Sequence, residues 1–292
     1  MTIEGEAVHV SGINFKQEPN DSTLEINKII VDHLNLSTTR DKRIPFKHGV
    51  QKSMPTILIS AIKKPIKIDS IMIQHSNVTI NEISDKTNKQ GTIPLQDINA
   101  VLTNVSNDPT NKDSLTIVAN AKILDHYIRY MRYSEVYGDS LSTFYMNVNV
   151  SPLPLPALSE ITVPLASVRI DRGNSDTLYA SWVGNKHAAI GQMDFYYKDL
   201  KVRLLDKDNP EKNSFKLKLI NSLANGVILH KKNNDSSVIF FERDKEKFVF
   251  NYWIKTVLGG LVTSAGVKKD KKALKQYKKV KEEYSLPDNP FQ

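Results

Sequence analysis

Apolar and polar residues alternate in short runs along most of this chain. Met193, Phe195 and Tyr197 alternate with Asp194, Tyr196 and Lys198, and Leu200, Val202 and Leu204 then alternate with Lys201 and Arg203. A period of two sorts side chains onto the two faces of a strand, so these runs predict a hairpin with one greasy face and one charged face. The same pattern appears at 3–15 and 24–36, at Ile66 and Ile68, at Ile71 and Ile73, at Val78 and Ile80, and over 93–105. Between Ile68 and Ile71 the phase changes by one residue, which predicts a bulge or bend. Leu115, Ile117, Ala119, Ala121 and Ile123 alternate most cleanly. Further strands are expected at 141–150, 163–171, 178–184, 215–219, 227–229 and 238–241, separated by turns rich in Asn, Asp, Gly and Pro.

Helical spacing is rare in the body of the chain. Residues 53–64, bracketed by Pro55 and Pro65, read as a short helix or a buried strand. Near the C-terminus Phe248, Trp253, Val257 and Leu261 recur at a period that predicts a helix, and a Lys-rich second helix covers 268–283 with Leu274, Tyr277 and Val280 on one side. The expected fold is mainly β: a curved, twisted antiparallel sheet forming an apolar groove, closed by a C-terminal helix, with a β-sandwich or barrel as the alternative. Four segments follow: a first sheet segment at 1–150, a second at 151–246 entered through the proline-stiffened residues 151–156, a helical region at 247–284, and a disordered tail at 285–292.

Many half-apolar strands with few helices leave a covering problem, because an apolar sheet face must meet a second layer or a ligand. If the face stays open, magnitudes favour a lipid. Each buried methylene contributes about 0.8 kcal/mol, so an acyl chain of about sixteen carbons gains roughly 12 kcal/mol in an apolar trough. The expected groove residues are Ile71, Ile73, Leu115, Ile117, Met193, Phe195, Leu200, Val202 and Leu204. The rival reading is a structural or adhesive β-sandwich that binds protein or glycan through its loops. A glycan hydrolase comes third and needs two carboxylates meeting in one cleft.

Composition narrows the chemistry. The net charge of +8 rests on 32 Lys and 8 Arg, and a lysine-dominated balance without interleaved stacking aromatics argues against a nucleic-acid partner. In 268–283 eight Lys face three acidic residues, a balance of +5. Lys268, Lys269, Lys271, Lys272 and Lys275, with Tyr252 and Trp253 as interfacial aromatics, are the expected contacts to anionic headgroups. The chain has no Cys, which removes disulfides and thiolate chemistry and fits a reducing cytosol and a periplasm equally. Its seven His include no pair at metal-ligand spacing, and Asp125 with His126 and Asp69 with His75 are the nearest acid/base pairs. No nucleophile elbow, dinucleotide fingerprint or P-loop occurs. No metal, cofactor or catalytic residue is therefore expected, and the sequence fixes no oligomeric state.

The stretch Pro65-Ile-Lys-Ile-Asp-Ser-Ile-Met-Ile-Gln-His-Ser-Asn-Val-Thr-Ile-Asn-Glu-Ile83, followed by Gln90-Gly-Thr-Ile-Pro-Leu-Gln-Asp-Ile-Asn-Ala-Val-Leu-Thr-Asn-Val105, resembles the C-terminal β region of bacterial AsmA-like envelope proteins. Residues 191–202 and 240–253 extend the resemblance, which covers roughly residues 60–265. It implies relatives of bridge-like lipid-transfer proteins: anchored in the inner membrane by an N-terminal helix, projecting into the periplasm, and holding phospholipid in a long apolar groove. The anchor is absent from this sequence. The expectation is thus a periplasmic, non-enzymatic segment of a longer inner-membrane-anchored protein, serving outer-membrane biogenesis, with phospholipid as ligand and a membrane surface or an envelope protein as partner.

Overall fold

In the computed structural model the described residues are 1–17, 22–206 and 229–289. The expected strands at 215–219 and at 227–229 lie wholly or mostly outside them. The alternating runs form one twisted sheet of thirteen strands that does not close into a barrel. In chain order these are β1 (Thr2–Glu4), β2 (Ala7–Gln17), β3 (Ser22–Asp32), β4 (Asn35–Asp41), β5 (Ile66–Ile83), β6 (Gln90–Ser106), β7 (Ser114–Ile123), β8 (His126–Val136), β9 (Phe144–Val150), β10 (Leu153–Pro154), β11 (Val168–Gly184), β12 (Ala188–Leu204) and β13 (Ser237–Glu242). The spatial order is β1-β4-β5-β6-β7-β8-β9-β11-β12-β13, with β3 beside β5, β2 beside β3, and β10 beside β11. A single sheet removes the sandwich and barrel alternatives.

The sheet is mixed, where the sequence predicts a mainly antiparallel one. β3 and then β4 pair in parallel with successive halves of the long strand β5, Asp32 opposite Gln74 and Asn35 opposite Asn77. The chain accomplishes this by breaking at His33, so that one edge of β5 serves two shorter strands. Two other expectations change. The runs at 193–197 and 200–204 belong to one strand, β12, interrupted at Asp199, whose φ of 55° shifts its register on β11. Its hairpin partner is β11, through the turn at Asn185, Lys186 and His187. Of the strand expected at 163–171, residues 163–166 belong to helix α2 (Ser159–Ala166), whereas 168–171 open β11.

The phase slip expected in β5 is present and spans four strands. At this level pairing keeps its register through β2–β3, β3–β5 and β5–β6, yet it passes over Gly12 and Asn27, Asn27 and Asp69, and Asp69 and Asn104. Gly12 (φ 68°) and Asn104 (φ 60°) take left-handed backbone there. On either side, Ile26 and Ile29, Ile68 and Ile71, and Leu102 and Val105 all join one apolar cluster with Leu115 and Tyr137. One residue absorbed at a common level in neighbouring strands keeps a single face apolar across the line.

Among the described residues four helical pieces cover parts of the sheet: α1 (Pro55–Ser60), α2 with the short 3-10 turn Leu155–Leu158 before it, α3 (Val249–Ser264) and α4 (Asp270–Val280). Residues 53–64 thus resolve as a helix. Residues 285–289 are packed rather than loose: Leu286 is buried, the Asn185 side-chain amide donates to the Tyr284 and Ser285 carbonyls, and Tyr277 Oη donates to the Pro287 carbonyl.

Candidate functional site

Side chains opposite one another in a sheet point to the same face, so the registers trace one apolar surface from edge to edge. Val10 faces Ile29, Ile29 faces Ile71, Ile71 faces Leu102, and Leu102 faces Ile117. Ile117 faces Tyr133, Tyr133 faces Met146, Met146 faces Trp182, and Trp182 faces Gly191. One level along, Val8, Val31 and Ile73 continue the row. In β12, Met193, Phe195, Leu200 and Val202 join the core cluster on this face, and Leu204 follows in phase. All nine predicted groove residues therefore share a single face.

What covers that face differs along it. At the β9–β13 end, α3 lies across the sheet and inserts Val249, Tyr252 and Trp253 into a cluster with Met146, Trp182, Met193, Phe195 and Ile239. The Trp253 ring sits 4.7 Å from that of Tyr133. Gly260 of α3 lets the helix approach Met193, because a Cβ there would stand 2.7 Å from Met193 Cε. The turn at Leu155–Leu158 covers Leu200 and Val202. Met193, Phe195, Leu200 and Leu115 are consequently buried in protein and are not lipid contacts. Burial with close-packed neighbours leaves no room for an acyl chain.

α1 seals the middle of the face through a buried carboxylate. Glu135 Oε2 accepts from the Thr56 amide (3.0 Å) and Tyr133 Oη (2.9 Å), while Oε1 accepts from Thr56 Oγ1 (2.8 Å). Burial pushes the Glu135 carboxyl above its ordinary range against the pull of these donors. A strap then runs from α1 back to the start of α3. Arg243 Nη2 donates to the Lys52 carbonyl (2.6 Å), and Glu246 accepts from the Gly49 amide (2.6 Å) and bonds His48 Nδ1 (2.6 Å).

Beyond α1 the cover ends. Val8, Val10, Ile13 and Phe15 of β2 are 65, 43, 57 and 65 % exposed, and Ile29, Ile71 and Ile73 behind them are only half-buried. From Val8 to Phe15 this open shelf runs roughly 23 Å at about 3.3 Å per residue.

The expected membrane-surface group divides. Tyr252 and Trp253 are 1 and 6 % exposed, and they belong to the core. Of the stripe that predicts this helix, Trp253, Val257 and Leu261 pack inward, whereas Phe248 stands exposed just before its first turn. Outward, α3 shows Phe250, Leu258 and Val262, eight and then four residues apart, with Phe248 beside them and Lys52 Nζ 5.0 Å from the Phe248 ring. α4 packs on the opposite face of the sheet, burying Ala273, Tyr277 and Val280 against Ile190 and Phe240. Lys269, Lys271, Lys272 and Lys275 project to solvent, whereas Lys268 is half-buried with its pKa drawn down by burial and then by Lys272. The lysines and the two aromatics thus lie on opposite sides of the sheet and make no single surface.

Among the described residues no helix is long and apolar enough to cross a membrane. The nearest acid/base pair also regroups: His75 Nδ1 lies 3.0 Å from Asp32, not against Asp69. Comparison with family models, curated proteins and solved structures finds no match to this chain.

Proposed function

We propose that this chain binds phospholipid acyl chains without chemistry, along the open shelf formed by β2, β3, β5 and β6, as part of lipid transfer in a bacterial envelope. The observation that carries the reading is the exposure of Val8, Val10, Ile13 and Phe15 in unbroken register with a buried apolar face. Exposed apolar surface of this extent is a liability in water unless something apolar covers it. A row of branched aliphatic side chains without convergent polar groups suits a hydrocarbon rather than a sugar or a peptide. α3 and its strap stop the lipid path at the other end, and the outward stripe of Phe250, Leu258 and Val262 is the surface that meets a membrane there. The resemblance to AsmA-like proteins agrees with this assignment, with the periplasm as its compartment and an envelope protein as a further partner.

The test is photocrosslinking with a phospholipid bearing a diazirine on its acyl chain, mapped by peptide mass spectrometry. Adducts on β2, β3 and β5, and few on β12, support the shelf. A protein that purifies without lipid and takes no adduct on these strands refutes it.

A further inference from the structure

At the line where the sheet edge changes hands from β3 to β4, three ligand-bearing side chains converge, with Glu6 at their rim beside His33. Asp32 ends β3, His33 is the break residue, His75 stands beside them in β5, and Glu6 precedes β2. They come from places up to 69 positions apart in sequence, joined by parallel pairing of Asp32 with Gln74 and antiparallel pairing of Ala7 with Asp32. Asp32 Oδ1 lies 3.1 Å from His33 Nδ1 and 3.0 Å from His75 Nδ1, and Glu6 Oε2 lies 3.6 Å from His33 Nδ1. One donor atom from each of Asp32, His33 and His75 falls within 4.8 Å of the others.

These spacings match a coordination shell. Zn2+ holds imidazole nitrogen and carboxylate oxygen at about 2.0–2.2 Å, which in a tetrahedron sets neighbouring donors roughly 3.3 Å apart. The observed separations of 3.0, 3.1 and 3.6 Å bracket that value.

The backbone that presents the two rings is unusual. His33 (φ 50°) and His75 (φ 46°) both adopt left-handed backbone, which β-region residues with a Cβ avoid. Surrounding bonds fix the arrangement. The His33 amide donates to the Gln74 carbonyl (3.1 Å) and Asp32 Oδ1 (3.1 Å), the Leu34 amide to Ser76 Oγ (3.0 Å), and the His75 amide to Asn99 Oδ1 (3.2 Å). Both rings thereby stack at 5.2 Å with their Nδ1 atoms turned to one carboxylate. Partial exposure of all three side chains leaves an entry path from solvent.

We propose that Asp32, His33 and His75, with Glu6 as a fourth donor, bind one divalent transition-metal cation, Zn2+ fitting the two-imidazole, carboxylate donor set best. The rings bind through Nδ1 as neutral imidazoles with the proton on Nε2. Asp32, His33 and His75 supply three donors and leave the fourth position to the exposed Glu6 carboxylate turning in from its place beside His33, so that the ion pins the start of β2, the end of β3 and the bulge of β5 together. The inference stands apart from the lipid reading.

The test titrates Zn2+ as its chloride into the chelator-stripped full chain against a chromophoric competitor. The expected result is one equivalent bound, with a dissociation constant on the order of 1 μM, and affinity at least about tenfold weaker in His75→Ala. His126→Ala leaves binding unchanged. In wild-type protein, needing no variant, Zn2+ shifts the imidazole nitrogen resonances of His33 and His75. Absence of uptake, equal uptake by His33→Ala/His75→Ala, or uptake without movement of those resonances overturns the site and leaves a carboxylate that only straps two imidazoles.

Discussion

The double variant Val10→Asp/Ile13→Asp separates a lipid shelf from a merely exposed edge. Both residues are about half exposed on β2, which pairs with β3 on one side only. Burying a whole Val or Ile side chain contributes roughly 1.5–3 kcal/mol, so the uncovered halves offer a bound acyl chain about 1 kcal/mol each. Losing both weakens binding by about 2 kcal/mol, or roughly thirtyfold. The covered halves contribute about as much to folding, so the double variant should also lose roughly 2 kcal/mol of stability, and binding is compared at a urea-free condition where both proteins are folded. The assay pairs a fluorescent-phospholipid titration with a urea unfolding curve on the same preparation. His9→Asp/Ser11→Asp supplies the control, placing the same charges on the other face of the same strand. An unchanged dissociation constant in the Val10/Ile13 variant, or equal weakening in the control, refutes the reasoning. Phe195→Asp is not a substitute, since a charge buried under α3 costs several kcal/mol and acts through unfolding.

Other expectations concern the covered end and the slip line. Trp253→Ala, which empties the space beside Tyr133, should cost about 3–5 kcal/mol in urea unfolding; Trp253→Phe should cost far less, because Trp253 Nε1 makes no hydrogen bond to lose. The raised pKa of Glu135 makes its contribution to stability full below the ordinary carboxylate range and progressively lost as pH rises through the raised folded value. Wild type should accordingly lose stability relative to Glu135→Gln as pH rises above the ordinary carboxylate value of about 4.3, and parallel curves would contradict the burial argument. Gly12→Ala should destabilise by about 1–2 kcal/mol from left-handed backbone alone, with a further loss because its Cβ would stand 2.4 Å from Asn27 Nδ2.

Local periodicity revealed much of this fold and little of its pairing. The alternation in β5, β7 and β12 and the slip between Ile68 and Ile71 were legible because each depends on adjacent residues. The parallel placement of β3 and β4 on β5 was not, since no local pattern encodes which edge a strand joins. The Asp32, His33 and His75 cluster was invisible for the same reason: only that pairing joins them. α2 escaped because Pro164 interrupts a short helix without a clear apolar stripe. Tyr252 and Trp253 were misplaced because α3 is apolar on both sides, with Phe250 and Leu258 outward, and the stripe alone does not say which side packs.

The slip line has a consequence for how this chain tolerates insertion and deletion. Removing Asn27 alone would leave Leu24, Ile26, Ile29 and Val31 in strict alternation, but it would slide Leu24 and Ile26 one residue out of register with Ile13 and Ile68, whose strands keep their extra residue. Repair would then require matching deletions at Gly12, Asp69 and Asn104, at three further places in the gene. Length changes within these strands are thus heritable only as a set, so variation in chain length should collect in turns such as 107–113, where Asn and Asp close the connection without counting toward either face.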